Sequence, residues 1–152
     1  MTREHRYLMT GLFERIMVAT DGSEKNQHAV EKALEIARAC RSTVFAVYVI
    51  DETMLSSSPA DVSLEAVYST LKSEGDQAVK RVKDMAKDVA VEEAVLSGKA
   101  AREIVSFAAK QKIDLIVIGT QGKTGLQRLL LGSVAESVIR TADCPVLVVK
   151  SS

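Results

Sequence analysis

The sequence predicts a single α/β domain whose mostly parallel sheet is covered by helices on both faces. Its 152 residues are close to the common size of one domain. Short β-branched runs are apolar on both faces, as in strands buried beneath two layers of helices. Helical patterns fill the intervals between these runs. Such alternation favours parallel strands joined by right-handed crossovers, in a five-stranded, doubly wound sheet.

Four of the five strands are predicted by continuous apolar runs. These runs are Arg15–Thr20, Thr43–Ile50, Leu115–Gly119 and Val146–Val149. A fifth, weaker strand is predicted at 91–97, where two adjacent glutamates interrupt the apolar pattern. Charged residues suit a strand near the edge of a sheet.

Four helices are predicted between the strands, because apolar residues recur there at spacings of three and four. The helical segments are Ser23–Ala39, Leu64–Val89, Ala100–Lys112 and Ser133–Thr141. Gly75 lies inside the second helix and is expected to weaken it by about 1 kcal/mol relative to alanine.

Two segments are predicted to lie outside this core. Residues 1–13 are interpreted as an N-terminal extension, and residues 14–152 as the domain. Residues 51–61 contain three consecutive serines and Pro59, which is typical of a surface loop.

The composition argues against several classes of protein. Twenty basic residues balance twenty acidic ones, so the basic excess of a general nucleic-acid or anionic-membrane binder is missing. Two distant cysteines give no disulfide framework or thiolate zinc site, and two histidines are too few for an ordinary metal site. The sequence has no apolar run long enough for a spanning helix and no secretory signal pattern. We therefore expect a cytoplasmic protein.

The loops after the first and fourth strands are the candidate ligand loops, because doubly wound sheets bind ligands outside the carboxyl ends of their strands. The first loop is the tight turn Thr20–Ser23. The second has three glycines in residues 119–125, which leave backbone amides uncovered. Gly132–Ser133 then opens a helix whose positive end suits an anion. A phosphate group is the predicted ligand.

Other features of this second loop agree with a phosphate site. Lys123, Arg128 and Arg140 provide positive charge nearby. Ser133 and Glu136 have the spacing of a capping box, in which the serine caps the helix and the glutamate reaches back. Ser133 could serve as a cap alone. Asp21 could likewise only tighten its turn.

Two familiar phosphate motifs do not fit. A Walker A loop needs glycine five residues before Gly122, where Val117 stands, and the dinucleotide fingerprint needs a different glycine spacing. The spacing Gly119, two residues, Gly122, nine residues, Gly132-Ser133 resembles the motif of the ATP-binding branch of the universal stress protein family. The similarity includes RIMVATDGSE and VYVID and extends over about residues 14–150.

The resemblance implies the strand order 3-2-1-4-5, which makes the first and fourth strands neighbours. It implies that Ala19, Thr20 and Asp21 lie at the adenine and ribose side of a bound ATP, AMP or ADP. It implies an adenine slot between Val49 and Ile118. It also implies donors to ribose and phosphates, with Mg or Mn carried by the phosphates; these donors are Gly119, Gly122, Gly132, Ser133 and Val134.

The resemblance further implies a homodimeric regulatory protein of the stress response, with a protein partner that the sequence does not identify. Family members pair their last strand across a two-fold axis, and the uncharged edge formed by Val146, Leu147, Val148 and Val149 suits such pairing. Slow ATP hydrolysis and a nucleotide-free interaction protein stay as alternatives. No base is evident beside Ser133 or Thr124, so slow or absent turnover is expected.

The sequence departs from the family pattern at two places. Gln121 stands where family members often have histidine or arginine, so any positive charge supplied there is missing. The turn after the third strand is Gly98-Lys99-Ala100, where many members have proline. These departures leave the preferred nucleotide open.

Overall fold

The computed structural model of the chain describes residues 11–121 and 131–151. Its five strands form one sheet in the order β3-β2-β1-β4-β5, and every neighbouring pair is parallel. The strands are β1 (Arg15–Ala19), β2 (Thr43–Asp51), β3 (Val91–Gly98), β4 (Leu115–Gly119) and β5 (Val146–Val149). The predicted fold class and strand order are confirmed.

Five α-helices connect or follow these strands within the described residues. They are α1 (Gln27–Cys40), α2 (Glu52–Ser56), α3 (Leu64–Ala86), α4 (Ala100–Lys110) and α5 (Ser133–Thr141). The helix predicted from Ser23 instead starts with a 3₁₀ turn, Glu24–Asn26, and becomes α-helical at Gln27.

The prediction of an irregular loop at 51–61 was wrong in part, because α2 lies inside it. The Asp51 carboxylate caps this helix by accepting a hydrogen bond from the Thr53 N–H at 2.9 Å. Leu55 packs against the core, so a short helix is held at both its start and its inner face.

The sheet separates two apolar layers. On one face, α1 and α3 pack on alternate strand residues such as Ile16 and Val18. On the other face, α4 and α5 cover the intervening residues, among them Met17. All three of these β1 side chains are fully buried, which is the burial on both faces that a central parallel strand requires.

Gly75 has a packing role that its helix propensity does not show. It is buried in α3, where a Cβ would lie 2.7 Å from Cδ1 of Tyr48 on β2. The same Cβ would lie 3.1 Å from Cγ1 of Val95 on β3. Glycine therefore lets α3 approach the sheet more closely than any other residue would.

The two edges of the sheet differ in character. At the β3 edge, Glu92 and Glu93 are exposed, as predicted for a charged edge strand. At the β5 edge, all four residues of Val146–Val149 are half-buried and apolar. Only the β3 edge therefore has the charges that discourage pairing with another strand.

Cys40 and Cys144 both lie outside the cleft described below and form no disulfide. Burial raises the pKa of the Cys144 thiol. A thiol with a raised pKa is mostly protonated at neutral pH and is a poor nucleophile. No helix in residues 11–121 and 131–151 is both long and apolar enough to cross a membrane.

Candidate functional site

A cleft of about 310 Å³ opens where β1 and β4 end. Nine of the ten residues that the sequence predicts for a ligand site line it: Ala19, Thr20, Asp21, Val49, Ile118, Gly119, Gly132, Ser133 and Val134. The tenth, Gly122, lies outside the described residues, as do Lys123 and Arg128. The nine come together because β1 and β4 are paired, so the loops that follow them meet.

The loop after β1 is a tight turn closed by Asp21. Its Oδ1 accepts hydrogen bonds from the Ser23 N–H at 2.9 Å and the Ser23 hydroxyl at 2.6 Å. Gly22 has φ of 77°, in the left-handed region that favours glycine, and its N–H donates to Thr20 Oγ1. Asp21 thus tightens the turn through Oδ1, and its half-buried carboxylate also faces the cleft.

The loop after β4 is joined to the start of α5 by a backbone hydrogen bond. The Gly132 N–H donates to the Thr120 carbonyl at 2.7 Å, and the Thr120 N–H donates to the Val149 carbonyl at 3.1 Å. A Cβ on Gly132 would lie 3.0 Å from the Thr120 oxygen. Glycine at position 132 therefore permits a close approach of two backbone segments.

The predicted capping box at the start of α5 was wrong. Gly132 occupies the N-cap position, Ser133 is the first helical residue, and Glu136 pairs with Arg140 instead of reaching back. Arg140 is exposed and does not line the cleft. Glycine takes the cap because its extended backbone is fixed by the hydrogen bond to Thr120.

Three amides at the start of this helix have no hydrogen-bond partner in residues 11–121 and 131–151. The first intrahelical hydrogen bond runs from the Glu136 N–H to the Gly132 carbonyl. The preceding N–H groups have no partner among the described residues, and they belong to Ser133, Val134 and Ala135, which all line the cleft. The Gly132 N–H is already engaged, so Gly132 contributes space rather than a donor. Three free amides at the positive end of a helix suit an anion.

Part of the cleft wall is apolar. Val49 from β2 and Ile118 from β4 belong to the same packed layer of the sheet. Val47 and Ile104 extend this wall. The cleft therefore combines an apolar slot with a polar end made of backbone amides, which suits a ligand with a flat apolar ring and an anionic group.

Several lining residues were not predicted from the sequence. Asn26 and Gln121 line the cleft and are only 5% and 6% exposed. Asn26 precedes α1, where asparagine typically signals a helix cap, but its side chain makes no capping hydrogen bond. Thr53 and Met54 reach the cleft from α2, a helix in the segment where the serine and proline content had predicted a loop.

A family model described as the universal stress protein family matches residues 12–150 of the chain. Among curated proteins, the chain is similar to universal stress protein MJ0531 of Methanocaldococcus jannaschii. The two are 49% identical over 141 residues, covering 91% of this chain and 83% of that protein.

Solved structures are similar over nearly their whole length. Hypothetical protein MJ0577 of the same organism has a TM-score of 0.81 and 30% identity, covering 93% of this chain and 98% of that one. A universal stress protein in complex with cAMP has a TM-score of 0.66 and 26% identity, covering 92% and 98%. The Archaeoglobus fulgidus universal stress protein in complex with dAMP has a TM-score of 0.63 and 25% identity, covering 90% and 98%.

Proposed function

The chain belongs to the universal stress protein family, and from that premise we propose that it binds an adenine nucleotide in the cleft between β1 and β4. The observation that carries the proposal is the row of amides at Ser133, Val134 and Ala135, which have no partner in the described part of the chain and lie beside an apolar slot. The relatives in complex with cAMP and dAMP support it, because both ligands join an adenine to a phosphate.

Each end of the nucleotide has a proposed set of contacts. The adenine lies between Val49 and Ile118, with the ribose towards Ala19, Thr20 and Asp21. The phosphates of ATP, ADP or AMP lie against the backbone at Gly119, Gly122, Gly132, Ser133 and Val134. In this role the protein is an ATP-binding regulator of the stress response. A protein partner would distinguish its nucleotide-bound form from its nucleotide-free form.

A divalent cation fits this site only as part of the nucleotide. The described residues contain no group of three or more side chains of the metal-binding types His, Cys, Asp and Glu. Among them, Asp21 and Asp51 are the carboxylates that line the cleft. We propose that Mg or Mn is held mainly by phosphate oxygens, with Asp21 the protein group placed to help.

Mass spectrometry of the purified protein after denaturation tests the proposal. Retained AMP, ADP or ATP in near-stoichiometric amount is the expected result. A nucleotide-free preparation that also fails to bind millimolar AMP, ADP and ATP in calorimetry would exclude the proposed function.

The Asp21→Asn variant should weaken AMP binding by about fivefold while leaving folding unchanged, since losing one polar contact costs about 1 kcal/mol. The amide oxygen can still accept from Ser23, so the turn persists, but the group facing the ligand changes from acceptor to donor. Calorimetric titration with AMP measures the effect.

Asp51→Asn is the matched control. Asp51 also lines the cleft and also closes a turn, because its Oδ1 accepts from the Thr53 N–H at 2.9 Å and the Thr53 hydroxyl at 2.7 Å. The Asp51→Asn variant should change the affinity for AMP by less than about twofold. Such a change corresponds to less free energy than one hydrogen bond contributes. Equal losses in both variants would contradict a specific role for Asp21.

We also propose that the protein is a homodimer through β5. Pro145 and Val149 direct their carbonyls inward to the N–H groups of Ile116 and Thr120. Backbone groups alternate along a strand, so those of Val146 and Val148 face the free edge. An apolar edge with unpaired backbone groups is suited to pair with a second copy.

The Val148→Pro variant should weaken the dimer at least about tenfold, because it removes an outward N–H worth roughly 1 kcal/mol or more without removing a hydrogen bond to β4. Val148→Thr keeps the N–H and the β-branched shape and should stay dimeric. Analytical ultracentrifugation measures both. Wild-type protein that is monomeric at tens of micromolar would contradict the proposed dimer.

A further inference from the structure

Two buried amide side chains at the base of the cleft each have one unpartnered atom. Among the described residues, Asn26 Oδ1 and Gln121 Nε2 are the buried side-chain polar atoms without a hydrogen-bond partner. Buried polar atoms in native proteins are nearly always paired, so each exception calls for a reason. Both exceptions belong to residues that line the same cleft, which points to the ligand as the reason.

The other end of each amide is held only loosely. Asn26 Nδ2 donates to the Ala19 carbonyl at 3.4 Å, and Gln121 Oε1 accepts from the Ser151 hydroxyl at 3.5 Å. Both distances are near the upper limit for a hydrogen bond. The unpartnered atoms are covered by protein, so each reaches a ligand only after its weakly held side chain turns towards the cleft.

The position of Gln121 matches the phosphate end of the proposed ligand. Gln121 directly follows Thr120, whose carbonyl accepts the Gly132 N–H at the start of α5. Its Nε2 is a donor, and a phosphate oxygen at neutral pH is an acceptor. The neutral amide thus adds a donor beside the free amides of α5 without adding charge.

The position of Asn26 matches the sugar. Its Nδ2 lies 3.2 Å from where a Cβ of Gly119 would be, so the side chain sits between the ends of β1 and β4. Its unpartnered Oδ1 is an acceptor and needs a donor, which an ionised phosphate cannot provide. A ribose hydroxyl can donate.

On the basis of the proposed nucleotide binding, we propose that Gln121 and Asn26 are specificity-determining residues of this cleft: Gln121 Nε2 donates to a phosphate oxygen, and Asn26 Oδ1 accepts from a ribose hydroxyl. The site thereby selects ribonucleotides with a phosphate over nucleosides and deoxynucleotides.

The test for Gln121 compares AMP with adenosine by calorimetry. Gln121→Met keeps the length of the side chain and removes the donor, so AMP affinity should fall about tenfold, as for the loss of one hydrogen bond to a charged group. Adenosine affinity should change by less than about twofold, because adenosine lacks the phosphate. Ser151→Ala removes the partner of Oε1, leaves the donor, and should bind AMP like wild type.

The test for Asn26 compares AMP with 2′-deoxy-AMP and 3′-deoxy-AMP. Wild-type protein should bind one of these two deoxynucleotides about tenfold more weakly than it binds AMP. The Asn26→Ala variant should bind that deoxynucleotide and AMP with equal affinity. A purely structural role would lower the affinity for AMP and both analogues by the same factor and overturn the assignment.

Different results would overturn the proposed nucleotide binding and the assignment of Gln121 and Asn26. Wild-type protein that binds none of these ligands overturns both. Wild-type protein that binds AMP, with Gln121→Met and Asn26→Ala showing unchanged ligand preference, overturns only the assignment of the two amides.

Discussion

Gly132→Val should reduce the affinity for AMP by at least about 100-fold, equivalent to roughly 2.7 kcal/mol. The backbone at Gly132 has φ of −60° and ψ of 152°, which valine adopts readily, so backbone strain is not the cause. The cause is space, because a Cβ lies 3.0 Å from the Thr120 carbonyl oxygen, a backbone atom that cannot swing away. The start of α5 must shift, and the free amides of Ser133–Ala135 shift with it.

Graded substitutions separate this effect from general damage. Gly132→Ala needs a displacement of only a few tenths of an ångström and should have an intermediate affinity. Both variants should retain the circular dichroism spectrum of the wild type, because Gly132 precedes α5 at its N-cap and lies in no helix or strand. Wild-type affinity in a folded Gly132→Val protein would contradict the proposed phosphate contact.

Gly75→Val should lower the free energy of unfolding by about 3 kcal/mol, the upper end of the usual cost of overpacking a core. Its Cβ meets the Tyr48 ring at 2.7 Å and Val95 at 3.1 Å, both within packed layers between α3 and the sheet. Gly75→Ala is expected to destabilise by about 1 kcal/mol, because a helix-propensity gain of about 1 kcal/mol offsets half of a smaller clash worth roughly 2 kcal/mol. Urea denaturation measures both values.

Ser73→Ala is the control for helix propensity, because Ser73 is exposed on the same helix, two residues away. It should be neutral or slightly stabilising. If Gly75→Ala stabilised the protein by the full helix-propensity difference between glycine and alanine, about 1 kcal/mol, the packing role assigned to Gly75 would be wrong.

The strands of the fold could be predicted from local sequence patterns, whereas the strand order and the short helix α2 could not. The strands could be found because both their faces are buried, which makes them continuous apolar runs such as Leu115–Gly119. Strand order depends on which strands pair in space, and periodicity does not carry that information. The predicted strand order came instead from the resemblance to the universal stress protein family, which the spacing of Gly119 and Gly132-Ser133 indicates. The short helix α2 was missed because its stability comes from the Asp51 cap and the packing of Leu55.

The residues of the candidate site were likewise predictable only in part from the sequence. Asp21, Gly119 and Gly132 follow strands directly, so their meeting at one edge follows from topology. Asn26 and Gln121 carry local patterns typical of a helix cap and a loop, and their burial arises only when β1 and β4 pair. The capping box failed because its sequence pattern fits equally well with Ser133 inside the helix and Gly132 at the cap.

We propose that the amides of Ser133, Val134 and Ala135 at the start of α5 receive the phosphate of an adenine nucleotide. Titration of the ¹⁵N-labelled protein with AMP, followed by amide NMR spectra, monitors these three groups individually. We expect saturable shifts at all three, with Gly11 and Ser73 unchanged because neither residue lines the cleft. Saturable AMP binding that left the three α5 amides unshifted, or no binding at millimolar AMP, would show that this phosphate contact does not exist.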